Sequence, residues 1–152
     1  MQAQVIKYVV IKYVLGFAFS PDNSKVLLIR KERPKWRSGL LDGVGGKVEG
    51  EEWLREAMVR EFKEETDIDT STADWSMFLS QAAPDYELRC FSTKLTFAQC
   101  KQLEQTTDEK PGWYEVKHLG RLLVEGVPGV PMYVAAALNH SGRPLYTTTV
   151  EL

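Results

Sequence analysis

Histidine and cysteine are scarce in this 152-residue sequence, with only His118, His140, Cys90 and Cys100. The two cysteines stand ten apart and no CxxC pair occurs, so sequence-local groups cannot spell a four-ligand zinc site. They read instead as free thiols in a reducing compartment. A strong charge of one sign is also missing. The formal net charge is −2, which argues against a dedicated nucleic-acid surface. Long uncharged apolar runs are absent too. The N-terminal MQAQVIKYVVIKYVLGFAF holds Lys7 and Lys12 within it and is rich in β-branched and aromatic residues. It reads as strand rather than as a signal peptide or membrane helix. A cytoplasmic protein with no membrane partner is the expectation. Repeats, low-complexity runs and linkers are lacking, and 152 residues suit one domain spanning 1–152.

What remains is ordinary globular material. Charged residues make up 26% and hydrophobic residues 43%, enough for a real core. Residues 5–19 look like a long strand or strand pair. Ser20-Pro21-Asp22-Asn23 is turn chemistry, and residues 26–30 complete a hairpin. A polar loop with Pro34, Trp36 and glycines follows, ending in a short strand over 40–47. Gly43, Gly45 and Gly46 are expected to take positive φ or to let the backbone approach a ligand. The main helix is expected to open at Glu49-Gly50-Glu51-Glu52 and run to about Thr66, with acids in its first turn. Strands over 75–82 and 86–95 come next, then a short helix or turn over 97–103. A short strand over 113–116 and a short helix over 117–124 follow. Residues 127–131 break the chain, and a last helix covers 132–139. Residues 145–152 read as an edge strand or a tail. Strands around a central helix, with another helix near the C-terminus, give a mixed α/β sandwich.

The stretch from Gly45 to Ile68, GGKVEGEEWLREAMVREFKEETDI, is the most informative. At roughly 100° per residue, Glu65 lies about 40° to one side of Glu61 and Glu64 about 60° to the other. Leu54, Ala57 and Met58 fall within about the same arc. Acids and apolar stripe therefore share a face, whereas Glu56 and Lys63 lie opposite. Carboxylates near a core face repel one another and lose hydration unless a cation sits among them. A hard divalent ion with oxygen ligands resolves this, and Mg²⁺ commonly joins such carboxylates to substrate phosphates.

The spacing resembles the signature of the Nudix hydrolase family, G-x5-E-x7-R-E-U-x-E-E-x-G-U with U aliphatic. Gly46, Glu52, Arg60, Glu61, Glu64, Glu65 and Ile68 match it. Phe62 stands in place of the aliphatic residue, and Asp67 in place of the last glycine. Asp is one of the few residues that tolerate the left-handed conformation at a helix end. Weaker likeness extends over residues 8–139, through KERPKWRSGLLDGVGGKVE, TTDEKPGWYEV and VPGVPMYVAAAL.

The resemblance implies an α/β/α sandwich with a mixed β-sheet between helices. It implies Mg²⁺- or Mn²⁺-dependent hydrolysis of a nucleoside diphosphate linked to another group. By the same resemblance Glu61 and Glu65 are core metal ligands, with Glu64 a third or a ligand of a second ion. A backbone carbonyl at Gly45 or Gly46 adds to them. Glu52 and Arg60 orient the site, Arg60 through a bidentate carboxylate pair. The general base is Glu61 or Glu109, with Asp108 as fallback. Trp36 either packs or stacks on a base, and the basic residues before the helix, Arg30, Lys31, Arg33, Lys35, Arg37 and Lys47, are candidates for substrate phosphates, Arg30 and Lys47 being singled out. The expected substrate is a nucleoside triphosphate, canonical or oxidised, cut to monophosphate and pyrophosphate. ADP-ribose or another dinucleotide-type diphosphate is the alternative, and a catalytically silent nucleotide-binding module is the alternative of another class. A homodimer built on the N-terminal strand is compatible with the resemblance.

Overall fold

The computed structural model describes residues 9–149. Eight strands and four helices follow one another in the order β1 (Ile11–Phe19), β2 (Lys25–Arg30), β3 (Leu41–Asp42), β4 (Val44–Lys47), α1 (Leu54–Thr66), β5 (Ser76–Ala82), β6 (Tyr86–Lys94), α2 (Phe97–Cys100), β7 (Lys110–Glu115), α3 (Leu119–Glu125), α4 (Val130–Leu138) and β8 (Leu145–Thr148). All eight strands join one mixed sheet in the order β3-β2-β1-β6-β5-β8, with β4 also on β1 and β7 also on β2.

The sequence of β1 explains its central place. A strand covered on both faces needs apolar residues at successive positions rather than alternate ones. Leu15, Phe17 and Phe19 face one core, and Val14 and Ala18 the other. In β2, Val26 and Leu28 divide from Leu27 and Ile29 in the same way. Helix α1 covers the second face with Ala57, Met58 and Phe62. Helices α3 and α4 cover the first with Leu122, Val130 and Val134. The sandwich therefore has helices on both sides of the sheet. A bulge in β5 adjusts its phase. The register with β6 slips between Met77 and Leu79, so Phe78 and Leu79 both reach the α3/α4 side while Met77 stays on the α1 side.

Along one edge β1 runs parallel to β6 over nine residue pairs. The other edge is shared: Ala18 and Phe19 pair with β2, whereas Tyr13 to Gly16 pair with β4. Tyr13 to Gly16, Ala18 and Phe19 therefore have partners on both edges, which places β1 inside the sheet. The part of the expected 5–19 strand that precedes residue 9 lies outside the described residues, as do residues 150–152 of the expected C-terminal strand. Residues 145–148 do form an edge strand, parallel to β5.

Helix α1 starts at Leu54, later than expected. Residues 49–53 form a turn, with Gly50 at φ +52°, and the backbone N–H of Trp53 donates to the Glu56 carboxylate at 2.9 Å. Glu56 alone supplies a carboxylate to the first helical turn. At the far end Asp67 adopts the left-handed conformation, φ +62°, and its N–H donates to the Lys63 carbonyl at 3.0 Å. Helix α4 begins at Val130, so Pro131 sits inside its first turn, where a missing N–H costs nothing. Strand β7 also begins earlier than expected, because Lys110 to Glu115 all find partners on β2. Among the described residues no helix is long and apolar enough to cross a membrane.

Phe62 meets Trp75 edge-on at a centroid distance of 5.0 Å, and both are fully buried. Phe62→Ala is expected to lower unfolding stability by about 3–5 kcal/mol, measured by denaturant titration.

Candidate active site

Two turns of α1 carry the site. Glu61 is buried, Glu65 half-buried and Glu64 exposed, all beside the stripe that packs on the sheet. Arg60 binds the acids together. Its Nε and Nη2 donate to the two oxygens of Glu52 at 3.1 and 2.7 Å. Its Nη1 donates to Glu61 Oε1 at 2.9 Å and reaches Glu64 Oε2 at 3.4 Å. Nη2 also donates to the Lys47 carbonyl at 3.0 Å. One planar guanidinium thus joins the end of β4, the turn before α1 and the helix face. This draws the Glu52 carboxyl below its usual range.

Gly45 and Gly46 lie in β4, opposite Leu15 and Val14. Neither takes positive φ, which corrects that part of the expectation. Their lack of a side chain serves close approach. A Cβ on Gly46 would sit 2.4 Å from Glu61 Oε1, and one on Gly45 would sit 2.0 Å from the Val14 carbonyl oxygen. The strand passes directly against the Glu61 carboxylate only because residue 46 is glycine.

Burial, followed by neighbouring acids, dominates the electrostatics. Loss of hydration pushes the Glu65 carboxyl up to about 8; Lys31 opposes this, and Glu109, Glu61 and Glu64 add to it. Burial raises Glu61 too, against the pull of Arg60. Glu65 Oε2 is buried without a hydrogen-bond partner. Such an atom is costly unless something binds it. Among the described residues no three carboxylates or imidazoles already form a shared metal shell. The donor set nonetheless suits a hard cation: an unpartnered Glu65 oxygen, Glu61 on the same face, and glycine backbone pressed against it.

Beside this face opens a cleft of about 680 Å³, lined by residues that include Lys31, Trp36, Asp42, Gly46, Lys47 and Tyr133. Trp36 is 63% exposed, with the Arg37 guanidinium 4.5 Å from its ring centre, so it is not core packing. Lys47 lines the cleft, whereas Arg30 does not. Arg30 instead donates to the Gly39 carbonyl at 2.7 Å and braces the loop. Glu109 is buried and paired with Lys31 at 2.9 Å. Asp108 is exposed and pairs with Arg33 at 3.5 Å.

Asp42 was not anticipated. It is buried on the cleft wall, where burial pushes its carboxyl up to about 6. Its Oδ1 accepts the Gly43 N–H at 2.8 Å, and Arg37 stands 3.8 Å from Oδ2. The available signal was one acid set between Leu41 and Val44 in an apolar strand.

A NUDIX domain model matches residues 12–126. The chain belongs to the Nudix hydrolase family, whose members act as pyrophosphohydrolases on nucleoside diphosphate derivatives, generally with divalent metal ions. Solved structures share its fold. A MutT structure of the Aliivibrio salmonicida and Vibrio cholerae pair is similar with a TM-score of 0.68 at 23% identity, over 84% of this chain and 97% of that one. The mutator MutT protein from Bacillus halodurans is similar with a TM-score of 0.70 at 23% identity, over 91% and 88%. A MutT/nudix family protein from Enterococcus faecalis reaches 0.64 at 20% identity, over 75% of this chain and 47% of that one. Comparison with curated proteins returns no match.

Because Glu65 has a higher pKa when folded than its ordinary 4.5, the folded state holds the extra proton between these values. Stability then falls as pH rises from about 4.5 towards 8 in chelator. Melting temperature scanned from pH 5 to 8 is expected to decline, and added Mg²⁺ to remove most of that slope.

Proposed function

We propose that the chain is a Mg²⁺-dependent pyrophosphohydrolase of a nucleoside triphosphate, releasing the monophosphate and pyrophosphate. The observation that carries this reading is the unpartnered, buried Glu65 oxygen beside Glu61, next to a cleft with basic and aromatic walls. Glu61 and Glu65, with a carbonyl at Gly45 or Gly46, hold the ion, and Glu64 adds a further carboxylate. Mn²⁺ is the alternative ion. A bound divalent ion lowers the pKa of water and stabilises charge spreading over phosphoryl oxygens.

The protein groups do the rest. Arg60, fixed by Glu52, keeps Glu61 turned towards β4. Lys47 meets the phosphates, and Trp36 offers an exposed face for a base to stack on. Water adds across one P–O–P bridge: its oxygen bonds to one phosphorus, and the bridging oxygen leaves with the other. Its proton passes to a carboxylate, Glu61 or Glu109. Glu61 already accepts from Arg60, and Glu109 stands across the site in the loop before β7. We read residues 1–152 as one domain working in the cytoplasm, a setting in which the free Cys90 and Cys100 stay reduced.

The test is a panel of canonical and oxidised nucleoside triphosphates, ADP-ribose, dinucleoside polyphosphates and nucleotide sugars with Mg²⁺, products being separated by chromatography. Monophosphate plus pyrophosphate from a triphosphate is the expected outcome. Two monophosphate products from ADP-ribose would move the assignment to dinucleotide-type diphosphates. Glu65→Gln is expected to cut turnover by about 10²–10⁴-fold with the fold intact. Nucleotide binding without turnover in the parent protein, with Mn²⁺ also tried, would show a silent binding module.

A further inference from the structure

Lys31 is the residue after β2 and lines the cleft. Its Nζ lies 2.9 Å from Glu109 Oε2, and the two side chains are only 17% and 11% exposed. The backbone around it is pinned. Lys31 N–H donates to the Leu40 carbonyl, and the Gly39 N–H donates to the Lys31 carbonyl, both at 2.8 Å. Any rearrangement therefore belongs to the four-carbon stem, which is flexible. The same ammonium acts on Glu65, where it opposes the repulsion from Glu109, Glu61 and Glu64. It acts on Asp42 as well. One positive charge thus serves several carboxylates with little water between them, and it cannot balance them all.

We propose that Lys31 is an internal counter-cation of Glu109 that an arriving divalent ion displaces, and that the freed ammonium turns into the cleft to bind substrate phosphate. This rests on the metal reading of Glu61 and Glu65 given above. An ion with two charges on that face repels the ammonium through a poorly screened medium. It also offers Glu109 a stronger partner. On the cleft side, phosphate oxygens give the ammonium a new acceptor. Metal loading and nucleotide binding are then coupled through one side chain.

The experiment is a double-mutant cycle read by Mn²⁺ affinity, using electron paramagnetic resonance on nucleotide-free protein. Lys31→Gln removes the charge and keeps a donor for Glu109. It is expected to tighten Mn²⁺ binding about tenfold in the parent and less than about twofold in the Glu109→Gln background. With Mn²⁺ bound, a non-hydrolysable nucleoside triphosphate analogue is expected to bind Lys31→Gln about tenfold more weakly. Unchanged or weaker Mn²⁺ binding, equal tightening in both backgrounds, or unchanged analogue affinity overturns the proposal. If the variants do not fold, the unmodified protein still decides. The Lys31 ammonium NMR signal shifts on Mg²⁺ titration if the pair opens, and a signal indifferent to saturating Mg²⁺ overturns displacement. A parent protein that binds neither ion is a different failure, because it removes the metal reading itself.

Discussion

Everything at the site depends on carboxylates held against a core face, where water cannot solvate them. Helix α1 needs Ala57, Met58 and Phe62 inward to cover the sheet, and its pitch brings Glu61 and Glu65 along with them. Arg60 makes this tolerable. Its guanidinium spreads over Glu52, Glu61, Glu64 and the Lys47 carbonyl, so the protein supplies one fixed cation at one end of the acid row. Lys31 supplies another at the Glu109 end. Between them Glu65 keeps an oxygen with no partner. Structural needs are met by the two basic residues, and the gap that remains is the part available to chemistry.

The sheet frames that gap. Because β1 gives one half of its edge to β2 and the other to β4, the glycine-bearing strand is brought over α1 while β2 carries Lys31 to the far side. Parallel pairing with β6 fixes the opposite edge. The cleft is lined from β1, β4 and β6, with Lys31 just beyond β2, so its walls are set by sheet register rather than by loops alone.

Much of this was legible in the residues. The shared arc of Glu61, Glu65 and Met58 follows from helix pitch alone, and the Asp67 stop follows from backbone sterics. The sandwich follows from strands set around a central helix, with another helix near the C-terminus, and from the family resemblance. Less legible were features decided by contacts distant in sequence. The start of α1 depended on Glu52 being drawn aside by Arg60 and on Gly50 turning the chain. For glycines 45 and 46 the sequence allows either positive φ or close approach to a ligand, and what they provide is room for the Val14 backbone and the Glu61 carboxylate. Arg30 follows strand alternation in a direction that leads to Gly39. Asp42 gives no local sign of its role, since the cleft it faces is assembled from β1, β6 and α4. Periodicity reveals faces, whereas only tertiary pairing reveals which polar group ends beside which.

The parallel match of β1 with β6 has a kinetic side. Ile11 pairs with Tyr86, and Phe19 with Lys94, so the central seam joins segments about seventy-five positions apart in the chain. Seams of this kind form slowly, because the closure entropy of the long loop is spent before any contact rewards it. During synthesis the apolar run from Val14 to Phe19 leaves the ribosome long before its partner exists. The hairpin with β2 and the return of β4 lie much nearer in sequence and can shelter that run first. The turn at Ser20 to Ser24 that joins β1 to β2 is held locally by the Asp22 carboxylate through Ser20 and Ser24, so closing that hairpin needs no contact distant in sequence.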